Sequence, residues 1–303
     1  PLGIIVNPED VVKFVVTVIE IYRDYGRRDN KAKARFKWLV EELGCEKLRE
    51  IIENKLGITF EKYNHIQLSI SGKEHTGINP QKQNNLWYIC VPLLGGRLDS
   101  KQMLSLASIA EKYGWPEIRL TPHQNIILVG IQANNIKIVL NELEKIGLNV
   151  GIMTMKYYGV ACPGGFCGKS PEDPKARLNE IITYIESKFP KELIKDIRIY
   201  ISGCPNACGK HPIGDIGLQG VYIKDKNSMH AGYNIFLGGG LGYLPSFARL
   251  IKRNVKADDV KFYIERIISA YLRDRRKNEV FKDFCNRYTD NELQKLMEVC
   301  LDG

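Results

Sequence analysis

Two short loops hold half of the cysteines in this chain, and they restrict what the chain can fold around. Cys162 and Cys167 lie in ACPGGFCG, and Cys204 and Cys208 lie in SGCPNACGKH. The surrounding glycine, proline and asparagine indicate turns rather than the interior of helices or strands. Clustered thiolates are soft ligands that suit zinc or an iron–sulfur cluster. The sequence therefore predicts a metal centre, with disulfide bridges or unliganded thiols as the alternatives.

The remaining four cysteines are scattered singly, at Cys45, Cys90, Cys285 and Cys300. A lysine-rich chain of 303 residues with single leftover cysteines differs from a small secreted disulfide scaffold. The sequence shows neither an apolar run long enough for a bilayer nor a secretory leader, so we expect a cytoplasmic location and no membrane partner.

The net charge of +9 favours an anionic partner, which could be a small anion, an acidic protein or a nucleic acid. The basic residues are spread along the chain, and no aromatic–basic nucleic-acid motif stands out. We therefore expect no nucleic-acid partner. A zinc-binding nucleic-acid module stays open as an alternative, which metal analysis showing zinc without iron would favour.

An internal similarity links the two ends of the chain. NPEDVVKFVVTVIEIYRDYG near the start aligns with KADDVKFYIERIISAYLRDR near the end. The matching pairs are Asp10 with Asp259, Val11 with Val260, Ile19 with Ile268 and Tyr22 with Tyr271. One interpretation is two unrelated amphipathic helices. The other is a repeat, in which residues 1–65 are the helical tail of a preceding homologous module and a complete second copy follows.

The complete copy divides into two parts. In residues 66–150 the pattern predicts a strand at 86–93, helices at 100–114 and 134–147, and strands at 117–122 and 125–131. That order favours a ferredoxin-like α/β sandwich, so the fold class is α+β. In residues 151–303 the pattern predicts a larger α/β domain that contains the two cysteine loops. Its predicted elements are a helix at 175–189, strands at 198–202, 215–223 and 233–238, a turn at 238–242 and terminal helices.

Four motifs resemble one family. They are GCPNACGKHPIGDIGLQG (203–220), IRLTPHQNIIL (118–128), HTGINPQKQNNLWYICVPLLGGRL (75–98) and GYNIFLGGGLG (232–242). Together they resemble the C-terminal half of the sirohaem-dependent nitrite and sulfite reductases, whose members are built from two homologous halves. The resemblance covers essentially the whole chain and implies a 4Fe-4S and sirohaem-binding domain over residues 151–303.

The resemblance implies the six-electron reduction of nitrite to ammonia or of sulfite to sulfide. It also implies a [4Fe–4S] cluster held by Cys162, Cys167, Cys204 and Cys208, with Cys208 bridging to the sirohaem iron. Sirohaem carries many carboxylates and needs a cationic, donor-rich pocket. The residues that match the family's cofactor segments, or lie beside them, are Arg97, Arg119, Thr121, Gln124, Asn125, Asn206, Gly238 and Gly239. Lys210 and His211 directly follow the last ligand segment and are the candidates for supplying charge or protons.

Two departures from the family bear on activity. Cys162 and Cys167 have four residues between them, one fewer than the family's usual spacing. The side chains that grip the anion come mainly from the family's first half, so we expect the 303-residue chain alone to be inactive. A non-catalytic cofactor-binding or scaffold module of the same fold is the alternative.

Substrate and donor follow from the same resemblance. The 75–83 segment looks closer to the ferredoxin-dependent nitrite branch, which favours nitrite over sulfite. The basic charge would suit an acidic ferredoxin as electron donor. The sequence shows no nicotinamide or flavin motif.

Overall fold

Two units divide the chain, Pro1–Ser69 and Ile70–Gly303. The computed structural model describes residues 2–61, 75–151, 154–225, 228–241 and 245–298. The predicted boundary between residues 65 and 66, the last position of the 238–242 turn and Cys300 lie outside the described residues.

The first unit is a pair of helices, α1 (Val11–Tyr25) and α2 (Phe36–Leu56). Their apolar faces meet in a small core that contains Ile21, Leu48 and Ile52. Gly44 interrupts α2 with a φ of +75°, a backbone conformation that glycine adopts without the penalty of a side chain. The unit therefore consists of two helices packed on one another, the second of which bends at Gly44.

The second unit begins with a four-stranded antiparallel sheet in the order β1-β2-β4-β3. Its elements, with the two helices that cover it, are β1 (Gly77–Pro80), β2 (Leu86–Val91), α3 (Ser100–Tyr113), β3 (Ile118–Leu120), β4 (Ile126–Gln132) and α4 (Ile136–Lys145). Ile89 and Leu128 on the sheet pack with Leu106 of α3 and Leu143 of α4. The ferredoxin-like sandwich that the sequence predicts is confirmed, and β1 is an addition that the pattern did not predict.

A five-stranded mixed sheet follows, in sequential order from β5 to β9. The strands are β5 (Val160–Ala161), β6 (Ile199–Ser202), β7 (Ile216–Asp225), β8 (Ser228–Leu237) and β9 (Arg249–Lys256). β5, β6 and β7 run parallel, whereas β8 and β9 alternate in direction. The sequence pattern predicted β6, β7 and the second half of β8, and it missed β5 and β9.

Helices cover this second sheet and form the larger core of the unit. They are α5 (Pro174–Lys188), α6 (Lys191–Ile194), α7 (Val260–Asp274), α8 (Phe281–Asn286) and α9 (Asp290–Glu298). Ile181 and Ile185 of α5 and Ile264 of α7 pack in one cluster with Ile201 and Leu218 of the strands. Among the described residues, no helix combines the length and apolar character that crossing a membrane requires.

The two helices of the internal similarity have matching bounds. α1 and α7 each contain 15 residues, and each follows a single 3-10 turn, Pro8–Asp10 in one case and Ala257–Asp259 in the other. Their outer faces differ, because α7 buries Val260, Ile264 and Ile268 completely, whereas the aligned α1 residues, Val11, Val15 and Ile19, are 44–60% exposed. The alignment therefore holds for local structure but not for burial.

Helix α3 begins with a reciprocal cap. The Asp99 side chain accepts a hydrogen bond of 2.8 Å from the backbone N–H of Gln102, and the Gln102 side chain accepts one of 3.1 Å from the backbone N–H of Asp99. Two backbone donors that would otherwise lack an intrahelical partner are satisfied in this way.

We expect Asp99→Ala to lower the free energy of unfolding by about 1 kcal/mol, because it leaves one of these donors without its partner. Urea unfolding of the metal-free protein measures the change. Asp99→Asn retains a capping oxygen and should lower the free energy of unfolding much less. Lys101→Ala, which changes an exposed residue in the same helical turn, is the control. Equal losses for the alanine and asparagine variants would contradict the capping explanation.

Candidate metal centre

The two cysteine loops begin at the carboxyl ends of two adjacent parallel strands. Cys162 directly follows β5, and Cys204 comes two residues after the end of β6. The two strands pair Val160 with Tyr200 and Ala161 with Ile201. The carboxyl ends of parallel strands are a common position for ligand sites in α/β sheets. The fold therefore brings the beginnings of both loops to one edge.

Direct contacts join the two loops. The backbone N–H of Cys162 donates to the Ile201 carbonyl at 3.0 Å, and the backbone N–H of Gly203 donates to Cys162 Sγ at 3.1 Å. A side chain on Gly209 would lie 1.8 Å from the Ile201 carbonyl oxygen and 3.1 Å from the Cys162 nitrogen. Only glycine fits there, so the chain directly after Cys208 returns to the position of Cys162.

The four cysteines differ in exposure. Cys162 is buried, Cys204 is partly buried, and Cys167 and Cys208 are exposed. Cys167 donates from Sγ to the carbonyl of Gly164 in its own loop at 3.3 Å. Across the described part of the chain, no three His, Cys, Asp or Glu side chains already form a group that could hold a metal ion. The donor atoms nevertheless fit an iron–sulfur cluster, because four thiols lie in two loops that touch beside Cys162.

The described cysteines outside these loops have other environments. Burial raises the pKa of Cys90 to about 12 and also raises that of Cys285, so both remain protonated thiols in apolar cores. Cys45 is exposed on α2 in the first unit. The environments of these three residues thus support the distinction between paired and single cysteines that the sequence suggested.

A basic group lies beside the first cysteine loop. Arg97 pairs with Asp173, which caps α5, and Lys175 in the first turn of that helix donates to the Gly95 carbonyl. Burial and then the nearby Arg97 charge lower the pKa of Lys175, against the opposing effects of Asp173 and Cys162. The predicted candidate Arg97 therefore contacts the helix that follows this loop.

Sequence reasoning missed Asp173 and Lys175 as parts of this neighbourhood. The signal was present in the dipeptide Asp173-Pro174, since aspartate at a cap followed by proline in the first helical position is typical of a helix start. The contact of Lys175 with Gly95, 80 residues away, has no signature in the sequence.

The 121–125 loop contains three predicted cofactor residues whose side chains bind the protein itself. Thr121 Oγ1 accepts from the Asn125 N–H at 3.0 Å. The buried Asn125 side chain accepts from the Leu93 N–H at 3.0 Å and donates to the Tyr157 carbonyl at 2.7 Å. The Gln124 side chain bonds the backbone of Ala161, directly before Cys162. All three side chains thus have structural contacts in this structure.

Arg119 lies apart from that arrangement. Its exposed guanidinium pairs with Glu117 and lines a cavity of about 500 Å³ on the sheet, together with Lys82, Tyr88 and Trp115. Two cations beside two aromatic rings suit a flat anionic ligand. The structure therefore places Arg119, unlike Thr121, Gln124 and Asn125, in an open cavity.

Lys210 and His211 have different environments although they are adjacent. Lys210 Nζ donates to the Pro122 carbonyl at 3.2 Å. His211 is buried against Phe236, with ring centroids 5.1 Å apart, and its Nδ1 has no hydrogen-bond partner within the described residues. Burial lowers the pKa of His211 to about 4, so the ring is neutral near pH 7. The role of His211 in supplying charge or protons stays a prediction, for a ring that is buried in this structure.

The remaining candidates separate into two places. Asn206 is exposed between Cys204 and Cys208, at the loop itself. Gly238 donates its N–H to the Asp215 carbonyl at 3.0 Å, and a side chain on Gly239 would lie 2.5 Å from the Gly214 carbonyl oxygen. Those contacts are at the amino end of β7, whereas the cysteine loops follow the carboxyl ends of β5 and β6. The structure does not bring the two glycines together with the cysteines.

Comparisons with known proteins agree with this fold and site. The family described as "Nitrite and sulphite reductase 4Fe-4S domain" matches residues 1–60 and 160–302, and "Nitrite/Sulfite reductase ferredoxin-like half domain" matches residues 79–146. The chain belongs to the nitrite and sulfite reductase family, with a ferredoxin-like half domain and a 4Fe-4S domain.

Individual relatives include reductases for both anions. The chain is 32% identical to the chloroplastic ferredoxin–nitrite reductase of Spinacia oleracea over 292 residues, which are 92% of this chain and 48% of the relative. It is 29% identical over 306 residues to the ferredoxin sulfite reductase 2 of Mycolicibacterium paratuberculosis, covering 97% of this chain and 54% of the relative. The chain spans about half the length of the curated relatives it matches.

Two solved structures show the same architecture. The Mycobacterium tuberculosis NirA protein superposes with a TM-score of 0.88 at 27% identity, over 96% of this chain and 55% of that protein. Dissimilatory sulfite reductase I superposes with a TM-score of 0.62 at 11% identity, over 96% of this chain and 87% of that one, which shows similarity of fold alone.

Acid should destabilise the fold through His211. Its pKa is about 4 in the folded chain and about 6.5 when unfolded, so the unfolded state binds more protons between these values. The contribution of His211 to the free energy of unfolding is present above pH 6.5 and is lost as the pH falls towards 4. We expect His211→Gln to reduce the acid-induced loss in the free energy of unfolding by up to about 3 kcal/mol. Urea unfolding of the metal-free protein at several pH values measures it, and parallel pH profiles for the two proteins would contradict the assignment.

Proposed function

We propose that this chain is the cofactor-carrying part of a reductase that uses a [4Fe–4S] cluster and sirohaem to reduce nitrite to ammonia or sulfite to sulfide. The main support is the meeting of the two cysteine loops at the carboxyl ends of β5 and β6. When bound, the cluster and sirohaem would supply single electrons and a metal that holds the anion. Family membership and the named activities of the relatives agree with this function.

In this proposal Cys162, Cys167, Cys204 and Cys208 hold the cluster, and Cys208 also bridges to the sirohaem iron by its position in the motif. The Gly203 N–H, which already donates to Cys162 Sγ, would stabilise the negative charge of that thiolate. Asn206 between the second pair of cysteines is exposed and can donate to a bound carboxylate. The side chains of Arg97 and Arg119 are both about half exposed and are further candidates for those carboxylates.

Lys210 would supply a positive charge near the second cysteine loop. It follows Cys208 by two residues, and its ammonium donates a hydrogen bond to the Pro122 carbonyl. An ammonium there would favour binding of a small anion by direct electrostatic attraction. His211 would remain a neutral, buried ring that packs beneath the loop.

The first unit supports a larger assembly in the whole protein. Val11, Val15 and Ile19 of α1 form an exposed apolar stripe, and the aligned residues of α7 are fully buried against the sheet β5–β9. Residues 1–65 would then be the helical tail of a homologous module, whose sheet covers that stripe. Since the family's anion-gripping residues belong mainly to the first half, the chain by itself would lack turnover.

The alternative is a module of the same fold that binds cofactor or partner without catalysis. It is favoured by the shortened spacing between Cys162 and Cys167, and by the finding that no three potential ligands among the described residues are already grouped for a metal ion. Cofactor loading distinguishes a vestigial centre from a working one.

The first test is the absorption spectrum of the full-length native protein prepared without oxygen, with assays for iron and acid-labile sulfide. We expect the bands of a reduced tetrapyrrole together with cluster stoichiometry. Cys208→Ser should remove both signals, because it takes away the shared ligand, whereas Cys45→Ser, an exposed cysteine outside the site, should keep them. A colourless wild-type protein after attempted loading would favour the scaffold alternative, and zinc without iron would favour a zinc module.

The second test concerns substrate and donor. We propose nitrite as the preferred anion, from the 75–83 segment, and an acidic ferredoxin as the donor, since the chain has a net charge of +9. Ferredoxin-driven turnover should be faster with nitrite, and the association rate of the donor should fall by about tenfold or more from low to high salt. Faster turnover with sulfite would reverse the first assignment, and a rate insensitive to salt would contradict the second.

A further inference from the structure

Strand β5 has an open side next to the first cysteine loop. It contains two residues, lies at the end of the sheet and pairs with β6 alone. Successive residues of a strand direct their backbone groups to alternate sides. Because the Cys162 N–H points to β6, where it donates to Ile201, the N–H and carbonyl of Ala161 point away from the sheet. The residue before Cys162 would thus have two unpaired backbone groups.

The Gln124 side chain fills this open side. Its Nε2 donates to the Ala161 carbonyl at 2.8 Å, and its Oε1 accepts from the Ala161 N–H at 3.2 Å. A planar amide with one donor and one acceptor reproduces what the peptide group of another strand would provide. Gln124 therefore replaces a missing neighbouring strand at a single position.

The backbone of Gln124 is itself fixed. It has a φ of +63°, and its N–H donates to the Thr121 carbonyl at 3.0 Å. The loop closes through the Thr121 N–H, which donates to the Asn125 carbonyl at 2.9 Å. The buried Asn125 side chain connects this turn to the backbone at Leu93 and Tyr157. The amide of Gln124 thus projects from a turn with little freedom.

The same turn contacts the second cysteine loop. Lys210, two residues after Cys208, donates to the Pro122 carbonyl at 3.2 Å. The intervening Gly209 packs on the Ile201 carbonyl and donates its N–H to Ser202 Oγ at 3.0 Å. Both cysteine loops are therefore anchored to the 121–125 loop, one through Gln124 and one through Pro122.

We propose that the 121–125 loop positions both cysteine loops for metal binding, and that Gln124 is the positioning residue for Cys162. The nitrogen and the oxygen of its side chain both bond to Ala161, so Gln124 acts on the centre through the backbone. The proposal deepens the proposed function, since its consequence for a cluster requires that these cysteines bind one.

Gln124→Asn is the decisive variant. Asparagine keeps the amide and is among the residues that best accept a positive φ, but it is one methylene shorter and cannot reach both groups of Ala161. Gln132→Asn is the matched control, because Gln132 is exposed at the end of β4 and its side chain makes no cap hydrogen bond. Gln124→Glu keeps an acceptor for the Ala161 N–H but places a second acceptor against the Ala161 carbonyl oxygen, so it should also loosen this contact.

The first readout is amide hydrogen exchange in metal-free full-length protein. We expect exchange at Ala161 to become about 10- to 100-fold faster in Gln124→Asn, the change that loss of two net hydrogen bonds would produce. The amide of Ile235, a fully buried residue of β8 that is paired with Leu218 of β7, reports global unfolding and should be unchanged. Alkylation of the buried Cys162 thiol should accelerate in the same variant, relative to the exposed Cys167.

The second readout is retention of metal in the loaded protein. Gln124→Asn should release iron to a chelator about tenfold faster than wild type or Gln132→Asn, since a less ordered Cys162 loop binds the cluster less tightly. If Gln124→Asn does not fold, the same measurements on Gln124→Glu decide the matter, with Ile235 exchange as the check on folding.

Two results overturn the proposal: unchanged exchange at Ala161 in a folded variant, or faster exchange with iron release equal to wild type. A wild-type protein that holds no cluster would instead refute the proposed function. The exchange and alkylation results in metal-free protein would still decide whether Gln124 orders the Cys162 loop.

Discussion

The parallel pairing of β5 with β6 is the contact on which the cysteine site depends. It joins two residue pairs, Val160 with Tyr200 and Ala161 with Ile201, and the chain turns into the first cysteine loop directly afterwards. So short a ladder has few hydrogen bonds of its own. Packing from α5 supports it, because a side chain on Gly159 would lie 2.7 Å from the Ile182 side chain. The position of Cys162 is thus fixed by the pairing with β6, by the packing of α5 and by the Gln124 side chain on Ala161.

The opposite end of the same sheet has a different chemical character. Gly238 and Gly239 pack there against the turn that carries Asp215, a buried carboxyl group that accepts the Arg198 N–H at 2.9 Å. Burial raises the pKa of Asp215 to about 7, against the opposing effects of Arg198 and Lys282. This end holds strand termini together through polar contacts, whereas the other end carries the two cysteine loops. A glycine-rich motif near a cofactor motif in sequence can therefore serve packing at a distance from it.

The longer elements were predictable from the sequence because their apolar residues form a run or recur at the spacing of their geometry, as in helices α3, α5 and α7 and strands β4 and β7. Length alone did not decide the outcome for the short strands, since β3 and β6 were predicted although they have three and four residues. β5 has only two residues, and β1, GINP, contains glycine and proline instead of an apolar run. β9, RLIKRNVK, contains four basic residues and an asparagine among its eight positions, so its apolar residues do not alternate and the segment resembles a loop. These three strands are defined by their neighbours, which local propensity does not encode.

The candidate site divides in the same way. The cysteine pairs and Asn206 could be located from a motif, because ligand type and spacing are local properties. The contacts of Gln124 and Asn125 join residues 37 and 32 positions apart, and no local pattern separates them from ligand contacts. The sequence predicted these side chains as cofactor-binding residues, and that stays a prediction; their hydrogen bonds to the backbone could not be predicted, because they join distant segments. Burial of His211 likewise depends on Phe236, which is distant along the chain.

The long-range contacts of the 121–125 loop have a consequence for biogenesis. They connect this loop to residues 37, 77 and 88 positions further along the chain. Contacts of such separation form late in folding, because the intervening loops must close first. During synthesis Cys162 emerges before Cys204 and Cys208, and the sheet that aligns them requires β7, which emerges later still. The nascent chain thus carries the Cys162 thiol before the sheet that brings the two cysteine loops together has formed, so oxidation of that thiol during synthesis would precede any metal binding.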